Sequence, residues 1–279
     1  MTVAGIIRTP VISDRIVETV DYAVLGPVDG RVRVVRPGPP FSSVCHVERD
    51  FGDGRLSGCT GFLIAPRVLV TAGHCVFSLL RGRPPNRILV TAGRDGALRP
   101  HGAIWAQRWF AHPGFRHGAD PRFDFGVVIL PRAFSGLGPG FSLLALARAD
   151  LANARDTRLI RIAGYPSDKP RGQMWAHAER IDRFGTRLIQ YSVDTCPGHS
   201  GAPVWLSAKN GHGDVIAIHT RGPKPSAKGP WGCRPGAPLA PAGFFNAGIR
   251  VTPQLRRAVF GAVTGNGPMR MVGMDRSAS

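Results

Sequence analysis

The 279-residue chain predicts an all-β fold of two packed, antiparallel six-stranded β-barrels with one C-terminal helix. Three observations predict it. Short runs rich in β-branched and aromatic residues fall into two sets of about six, with a looser stretch between them. The 36 Gly and 25 Pro favour many short elements joined by turns over a few long helices. Two such sets at short spacing fit two packed barrels better than one alternating α/β sheet.

Taken in order, residues 1–41 read as an N-terminal extension or pro-segment that ends in the linker Arg36-Pro-Gly-Pro-Pro40. Within it, Arg31-Val-Arg-Val-Val35 alternates and predicts an added edge strand. The opening ten residues lack the basic start, long apolar centre and small-residue cleavage site of a secretory signal. The first barrel spans about 42–135, from Ser43-Val-Cys-His-Val47, Gly61-Phe-Leu-Ile64, Val68-Leu-Val-Thr71, Arg87-Ile-Leu-Val-Thr91, Ile104 to Phe110, and Phe125 to Leu130. Ala133 to Ala154 is a looser connection containing Gly and Leu. The second barrel spans about 155–252, from Leu159-Ile-Arg-Ile162, Trp175 to Ile181, Arg187 to Tyr191, Ala202-Pro-Val-Trp205, Val215 to His219 and Ala247 to Val251. A helix over about 253–261 opens with Pro253, which suits a first helical turn. Residues 264–279 read as a disordered tail, and the sequence holds no internal repeat.

The formal charge is +18, and 32 of the 36 basic residues are Arg. Such a charge attracts acidic partners. Yet the basic residues are spread along the chain, with no dense run, recognition-module signature or aromatic interleaving, so specific nucleic-acid binding is not expected. No apolar run approaches the roughly 20 residues of a membrane span. No membrane partner is expected, and the chain is expected to be monomeric. Five cysteines at 45, 59, 75, 196 and 233 include no Cys-x-x-Cys pair for zinc. Scattered thiols and disulfides both remain open, and the odd count leaves at least one cysteine without an intramolecular partner.

The densest chemistry lies in Asp194-Thr-Cys-Pro-Gly-His-Ser-Gly-Ala-Pro203. Turn-forming residues crowd around Ser200, as a serine nucleophile requires: a sharply bending backbone with N–H groups aimed at a developing oxyanion. Alone, the stretch reads sooner as a Gly/Pro loop that contains Ser. Upstream, a strand ends at Thr71 and the small-residue turn Ala72-Gly73 presents His74, whose imidazole can take a hydroxyl proton near neutrality. Cys75 beside it, with Cys59 sixteen residues earlier, suggests a disulfide that pins this turn. Asp124 stands at the mouth of the apolar run Phe125 to Leu130, where a carboxylate needs a partner to offset desolvation. His74 would be that partner. Asp95, Asp120 and Asp168 compete, but their turn-rich contexts read as solvated surface.

Thr71-Ala-Gly-His-Cys75, Asp124 to Leu130 and Gly198-His-Ser-Gly-Ala-Pro203, in that order, resemble the chymotrypsin-like serine peptidases over residues 42–260. The resemblance implies a serine endopeptidase acting through an acyl-enzyme on a peptide or protein substrate. Ser200 would be nucleophile, His74 base and then acid, Asp124 the orienting acid, and the Gly198 and Ser200 amides the oxyanion hole. It also implies disulfides Cys59–Cys75 and Cys196–Cys233, leaving Cys45 over, and no cofactor or metal. That disulfide pattern points to an extracellular or periplasmic setting despite the absent signal.

Gly164-Tyr-Pro-Ser-Asp-Lys-Pro170, Gln173-Met-Trp175, Asp194-Thr195 and Ile218-His-Thr220 resemble the glutamyl endopeptidase branch of that family. The resemblance makes Thr195 and His219 the pocket for an acidic side chain, since hydroxyl and imidazole N–H groups both donate to a carboxylate. His199 replaces the acid that precedes the nucleophile in digestive-type members, which argues against their activation by an Asp paired with a new N-terminus. Arg221, beside the substrate strand, has no counterpart in the branch. The alternative from a different class is a catalytically silent peptidase-fold protein that holds an acidic partner on its basic surface.

Overall fold

The computed structural model describes residues 23–138, 140–207, 213–227 and 229–275. Its first-half strands are β1 (Val32–Val34), β2 (Val44–Asp50), β3 (Leu56–Ala65), β4 (Val68–Thr71), β5 (Arg87–Ala92), β6 (Ile104–Trp105), β7 (Arg108–Ala111) and β8 (Gly126–Ile129), with helix α1 (Pro113–Gly118) before β8. The second half holds β9 (Ser142–Leu143), α2 (Arg148–Thr157), β10 (Ile160–Gly164), β11 (Met174–Glu179), β12 (Ile181–Phe184), β13 (Leu188–Tyr191), β14 (Pro203–Ser207), β15 (Gly213–Arg221), β16 (Asn246–Arg250), α3 (Pro253–Thr264) and β17 (Arg270–Met274).

Two sheets form, one ordered β17-β7-β8-β4-β3-β2-β5-β6 and the other β1-β11-β10-β14-β15-β16-β13-β12, with β9 paired to β15. Only Ala106 and Gln107 separate β6 from β7, so a single bent strand reaches from β5 to β8 and closes the first sheet. Arg180 alone separates β11 from β12, which closes the second in the same way. The ladders along both strand orders are antiparallel, as the all-β two-barrel expectation requires, and the short β9 alone pairs parallel, to β15.

Side-chain alternation explains why several strands read as continuous apolar runs. In β4 and β8, Leu69 and Val128 point into the first barrel with Ile88, Val90 and Trp109, while Val68, Val70, Val127 and Ile129 point to the seam between barrels. The second barrel buries Ile160, Ile162, Ile189, Val204 and Ile216. Phe62, Phe141, Tyr165, Met174 and Trp205 fill the seam, and α3 closes it with Leu255, Ala258, Val259 and Ala262, the one-sided spacing of an amphipathic helix. Fully burying one such aliphatic side chain is worth about 1.5–3 kcal/mol, so the seam holds the two barrels in fixed register.

Three expectations need correction. The tail is a strand and not a disordered segment: β17 pairs with β7 and sets Gly273 against Trp109, where a Cβ would lie 2.2 Å from the indole. Its run Arg270-Met-Val-Gly-Met lacks the β-branched density that marks strands, and residues 276–279 lie outside those described. The connection over 133–154 carries β9 and most of α2. Finally, residues 23–34 are packed and not a loose leader. Ala23 and Val24 are fully buried, and β1 is the expected edge strand, lying on β11. Residues 1–22 lie outside those described. The helix extends to Thr264, capped by the Thr252 hydroxyl accepting from Leu255 N and ended by Gly265 in the left-handed conformation.

Candidate active site

His74 sits in a short 3-10 turn, Gly73–Cys75, at the end of β4. The turn is tight because Gly73 lies against the following acid; a Cβ there would be 3.0 Å from Asp124 Oδ1 and from Phe125 N. A disulfide joins Cys75 to Cys59 on β3, with Cα atoms 6.2 Å apart. Asp124 leaves its own 3-10 turn, Pro121–Phe123, and meets His74 twice. The His74 backbone N–H donates to Asp124 Oδ1 and ring Nδ1 lies against Oδ2, both at 2.8 Å. With a carboxylate on Nδ1, the neutral ring keeps its proton there and leaves Nε2 basic. That Nε2 is buried and has no hydrogen-bond partner among the described residues.

The competing acids are engaged elsewhere. Asp120 caps its turn by accepting from Arg122 N and pairs with the Arg122 side chain. Asp95 and Asp168 are not the solvated acids their contexts suggested. Asp95 is buried and accepts from Arg33 and the Arg36 amide, and Asp168 is paired with Arg31.

Ser200 is brought to His74 by backbone contacts across the barrels. Thr60 N donates to Ser200 O at 2.8 Å, and a Cβ on Gly201 would lie 2.2 Å from Thr71 Oγ1 and 2.7 Å from Ala72 N. Only glycine permits that approach, and Gly201 has φ 83°. The loop's amides have a definite orientation. Pro197 O accepts from Ser167 N at 2.7 Å, and His199 O accepts from Ala202 N at 2.8 Å. In a planar trans peptide the N–H points opposite to the C=O, so the Gly198 and Ser200 N–H groups face away from those two anchors. Gly198 has φ 102°, and its carbonyl accepts from the Thr60 hydroxyl at 2.7 Å. His199 is buried against Cys196, and burial, reinforced by the Arg31 charge, pushes its imidazole down to about 4. It is a neutral structural ring at neutral pH.

Thr195 and His219 are both fully buried. Thr195 Oγ1 has no hydrogen-bond partner among the described residues. His219 lies on β15 beside the nucleophile loop, its N–H donating to Ala202 O at 2.9 Å. Its Nδ1 meets Tyr191 OH at 2.6 Å. With Tyr191 donating, the ring carries its proton on Nε2, the nitrogen a carboxylate would meet. Burial, followed by the charges of His199, His74 and Arg221, holds this imidazole well below its ordinary range. Arg221 is also buried, donating to Pro121 O at 2.8 Å. A second disulfide, Cys196–Cys233, closes the far side of the loop; Cys45 is buried with its thiol pushed up by burial.

Sequence reasoning missed the residues that frame this half. Asn246, fully buried, accepts from Ala23 N and donates to Ala23 O and Val193 O. Asp194 accepts from Leu25 N at 2.6 Å and Gly30 N at 2.7 Å. Burial raises its carboxyl above the usual range, while those two N–H groups and nearby His177 pull the other way. The contacts to Ala23, Leu25 and Gly30 span 164 to 223 positions and that to Val193 spans 53, so no local spacing signals them. The one readable trace was the alternation that predicted β1.

A model of the "Trypsin-like peptidase domain" matches residues 59–218. The chain is 32% identical over 199 residues to a glutamyl endopeptidase of Bacillus licheniformis, covering 70% of this chain and 60% of that one. It is 31% identical over 166 residues to an extracellular metalloprotease of Bacillus subtilis, covering 59% and 51%. The chain thus spans about half to three-fifths of the length of these relatives. A solved structure of Glu endopeptidase in complex with MPD has the same fold, with TM-score 0.67 at 22% identity, over 87% of this chain and 99% of that one. Among the described residues, no donor set fits the metal in the second relative's name. Cys59, His74 and Cys75 cluster within 4.8 Å, but the two sulfurs are bonded to each other and Asp124 holds His74 Nδ1. With a family match over more than half its length, on a two-barrel fold that sets Asp124, His74 and Ser200 at one seam, the chain belongs to the trypsin-like peptidases.

Proposed function

We propose that this chain is a serine endopeptidase that forms an acyl-enzyme and prefers an acidic residue on the acyl side of the cleaved bond. The observation that carries the reading is the buried Asp124–His74 pair, whose Nε2 has no hydrogen-bond partner among the described residues, beside a Ser200 loop whose amides have a fixed orientation. Ser200 Oγ attacks the scissile carbonyl as its proton passes to His74 Nε2. Asp124 keeps Nδ1–H in place and stabilises the imidazolium. The negative oxygen receives the Gly198 and Ser200 N–H groups, each worth about 3 kcal/mol at the transition state. His74 then returns the proton to the departing amine, and water repeats the sequence on the acyl-enzyme.

For the acyl-side side chain, the Thr195 hydroxyl and His219 Nε2–H supply donors to a carboxylate. A hydrogen bond to a charged group is worth about 1.5–3 kcal/mol. Because the His219 ring is held neutral, it contributes a donor and not a charge. Positive potential comes instead from permanent cations, with buried Arg221 two residues along the strand and the net +18 of the chain. The glutamyl endopeptidase relative supports the same preference. Two disulfides favour an oxidising, extracellular-type setting. Among the described residues, no helix is long and apolar enough to cross a membrane.

A fluorophosphonate should label the wild type and not the Ser200→Ala variant. Peptide-library cleavage should concentrate after Glu. Equal labelling of the variant removes the nucleophile assignment, and preferred cleavage after Arg or Phe removes the pocket assignment.

A further inference from the structure

The oxyanion hole depends on one peptide plane, Pro197–Gly198. Rotating that plane would carry the Pro197 carbonyl into the site in place of the Gly198 N–H. Gly198 has no Cβ to resist the rotation, so the local chain does not hold the plane. A neighbouring segment does. Ser167 N donates to Pro197 O at 2.7 Å, and a Cβ on Gly198 would meet Tyr165 O, Pro166 Cα and Ser167 N at 2.3–3.1 Å. The placement of residues 165–168 therefore decides where the Gly198 amide points.

The next residue, Asp168, is gripped by Arg31 through two parallel hydrogen bonds, Nη1 to Oδ1 at 3.0 Å and Nη2 to Oδ2 at 2.6 Å. The Arg31 side chain is wholly buried and Asp168 is 12% exposed, so the pair lies almost out of water. Asp29 takes the remaining guanidinium donors, Nε and Nη2, both at 2.8 Å, and Lys169 closes the cluster on Asp29 at 2.9 Å. Burial opposes charge on both Arg31 and Asp29. Their mutual hydrogen bonds outweigh it, lowering the Asp29 carboxyl and raising Arg31. The same strap, residues 23–31, donates Leu25 N and Gly30 N to Asp194 at the start of the nucleophile loop. His199, immediately before Ser200, is buried and neutral and offers no ionic anchor of its own.

We infer that Arg31 is a positioning residue, which through Asp168 and the Ser167 amide keeps the Gly198 N–H aimed at the reacting carbonyl. The inference rests on the serine-peptidase reading. It assigns to residues far upstream the task of forming the oxyanion hole.

The test compares full-length wild type, Arg31→Met, Arg31→Lys, Asp168→Asn and the Arg31→Met/Asp168→Asn double variant. Each is read by kcat and KM on a Glu-containing peptide, by fluorophosphonate labelling rate, and by circular dichroism and melting temperature. For a displaced oxyanion donor, kcat of Arg31→Met should fall about 100-fold with KM within about threefold. Arg31→Lys should recover part of the loss. The double variant should be no slower than Arg31→Met, because the two side chains act through one contact. A folded Arg31→Met with wild-type kcat overturns the inference, as does a KM rise matching the kcat loss or multiplicative losses in the double variant. If Arg31→Met does not fold, the isosteric Asp168→Asn decides: reduced kcat at constant KM supports the inference and unchanged kcat overturns it. A wild type that takes no label at Ser200 removes the peptidase reading and this inference with it. A wild type that labels, with variants at full kcat, removes this inference alone.

Discussion

His74 and Asp124 are held by bonds made within the first barrel, whereas the Ser200 loop and its pocket are held by chain drawn from far upstream. On the first side, a disulfide spanning sixteen residues, a 3-10 turn and two bonds to one carboxylate suffice. On the second, Asp194 is bound by Leu25 and Gly30, Thr195 N donates to Ala23 O, and Asp168 is bound by Arg31. The base is built by local geometry on an apolar scaffold. The loop from Asp194 to Ser200 is built by buried polar contacts over long sequence separations. Under the proposed reading, proton transfer rests on local geometry, and preorganisation and selectivity rest on contacts from distant chain.

The contrast can be broken most sharply at the chemistry itself. Ser200→Ala should cost about 10⁶-fold in kcat, read in a peptide assay. Asp124→Asn, which keeps shape but loses control of the tautomer, should cost about 10⁴-fold. Both variants should melt near wild type, because neither side chain fills the core.

The disulfides sharpen the comparison in stability. Loop-closure entropy gives about 3 kcal/mol for the 16-residue separation of Cys59–Cys75 and about 4 kcal/mol for the 37-residue separation of Cys196–Cys233. Removing the first pair should lower kcat by loosening the base. Removing the second should chiefly raise KM for Glu peptides. Denaturant melts with paired kinetics separate the two.

Acidification offers a third test. Burial lowers His46 and His199 to about 4 from an unfolded value near 6.5. Between these limits the unfolded rings bind protons and the folded ones do not, so stability is full above about pH 6.5 and falls as pH drops to 4. Each ring contributes on the order of 3 kcal/mol to that loss. Asp194, raised by burial, works in the opposite direction and should blunt it. Urea melts across pH 4–7 should show the decline, and His199→Gln should flatten it.

The smallest effect lies in the pocket. Thr195→Val should reduce discrimination of Glu over Gln about 10-fold, equivalent to about 1.4 kcal/mol. Tyr191→Phe should act similarly by freeing the His219 tautomer, with activity on Gln peptides retained. Competition between matched Glu and Gln peptides measures both.

The sequence by itself determined the two-barrel class, because β-branched strand runs and Gly/Pro turns are local signals. It also singled out His74, Asp124 and Ser200, since small-residue turns and a carboxylate at an apolar strand mouth, taken together and in that order, point to one chemistry. It misjudged Asp95 and Asp168 as solvated, because polar neighbours in sequence do not reveal a guanidinium arriving from Arg33 or Arg31. It passed over Tyr191, Asn246 and the β17 strand for the same reason. Only the tertiary structure decided how the Gly198 amide is aimed, which nitrogen of His219 meets Tyr191, and what anchors the Ser200 loop. Those depend on contacts across 28 to 223 positions, whose geometry exists only once the barrels have closed and water has been excluded from the seam.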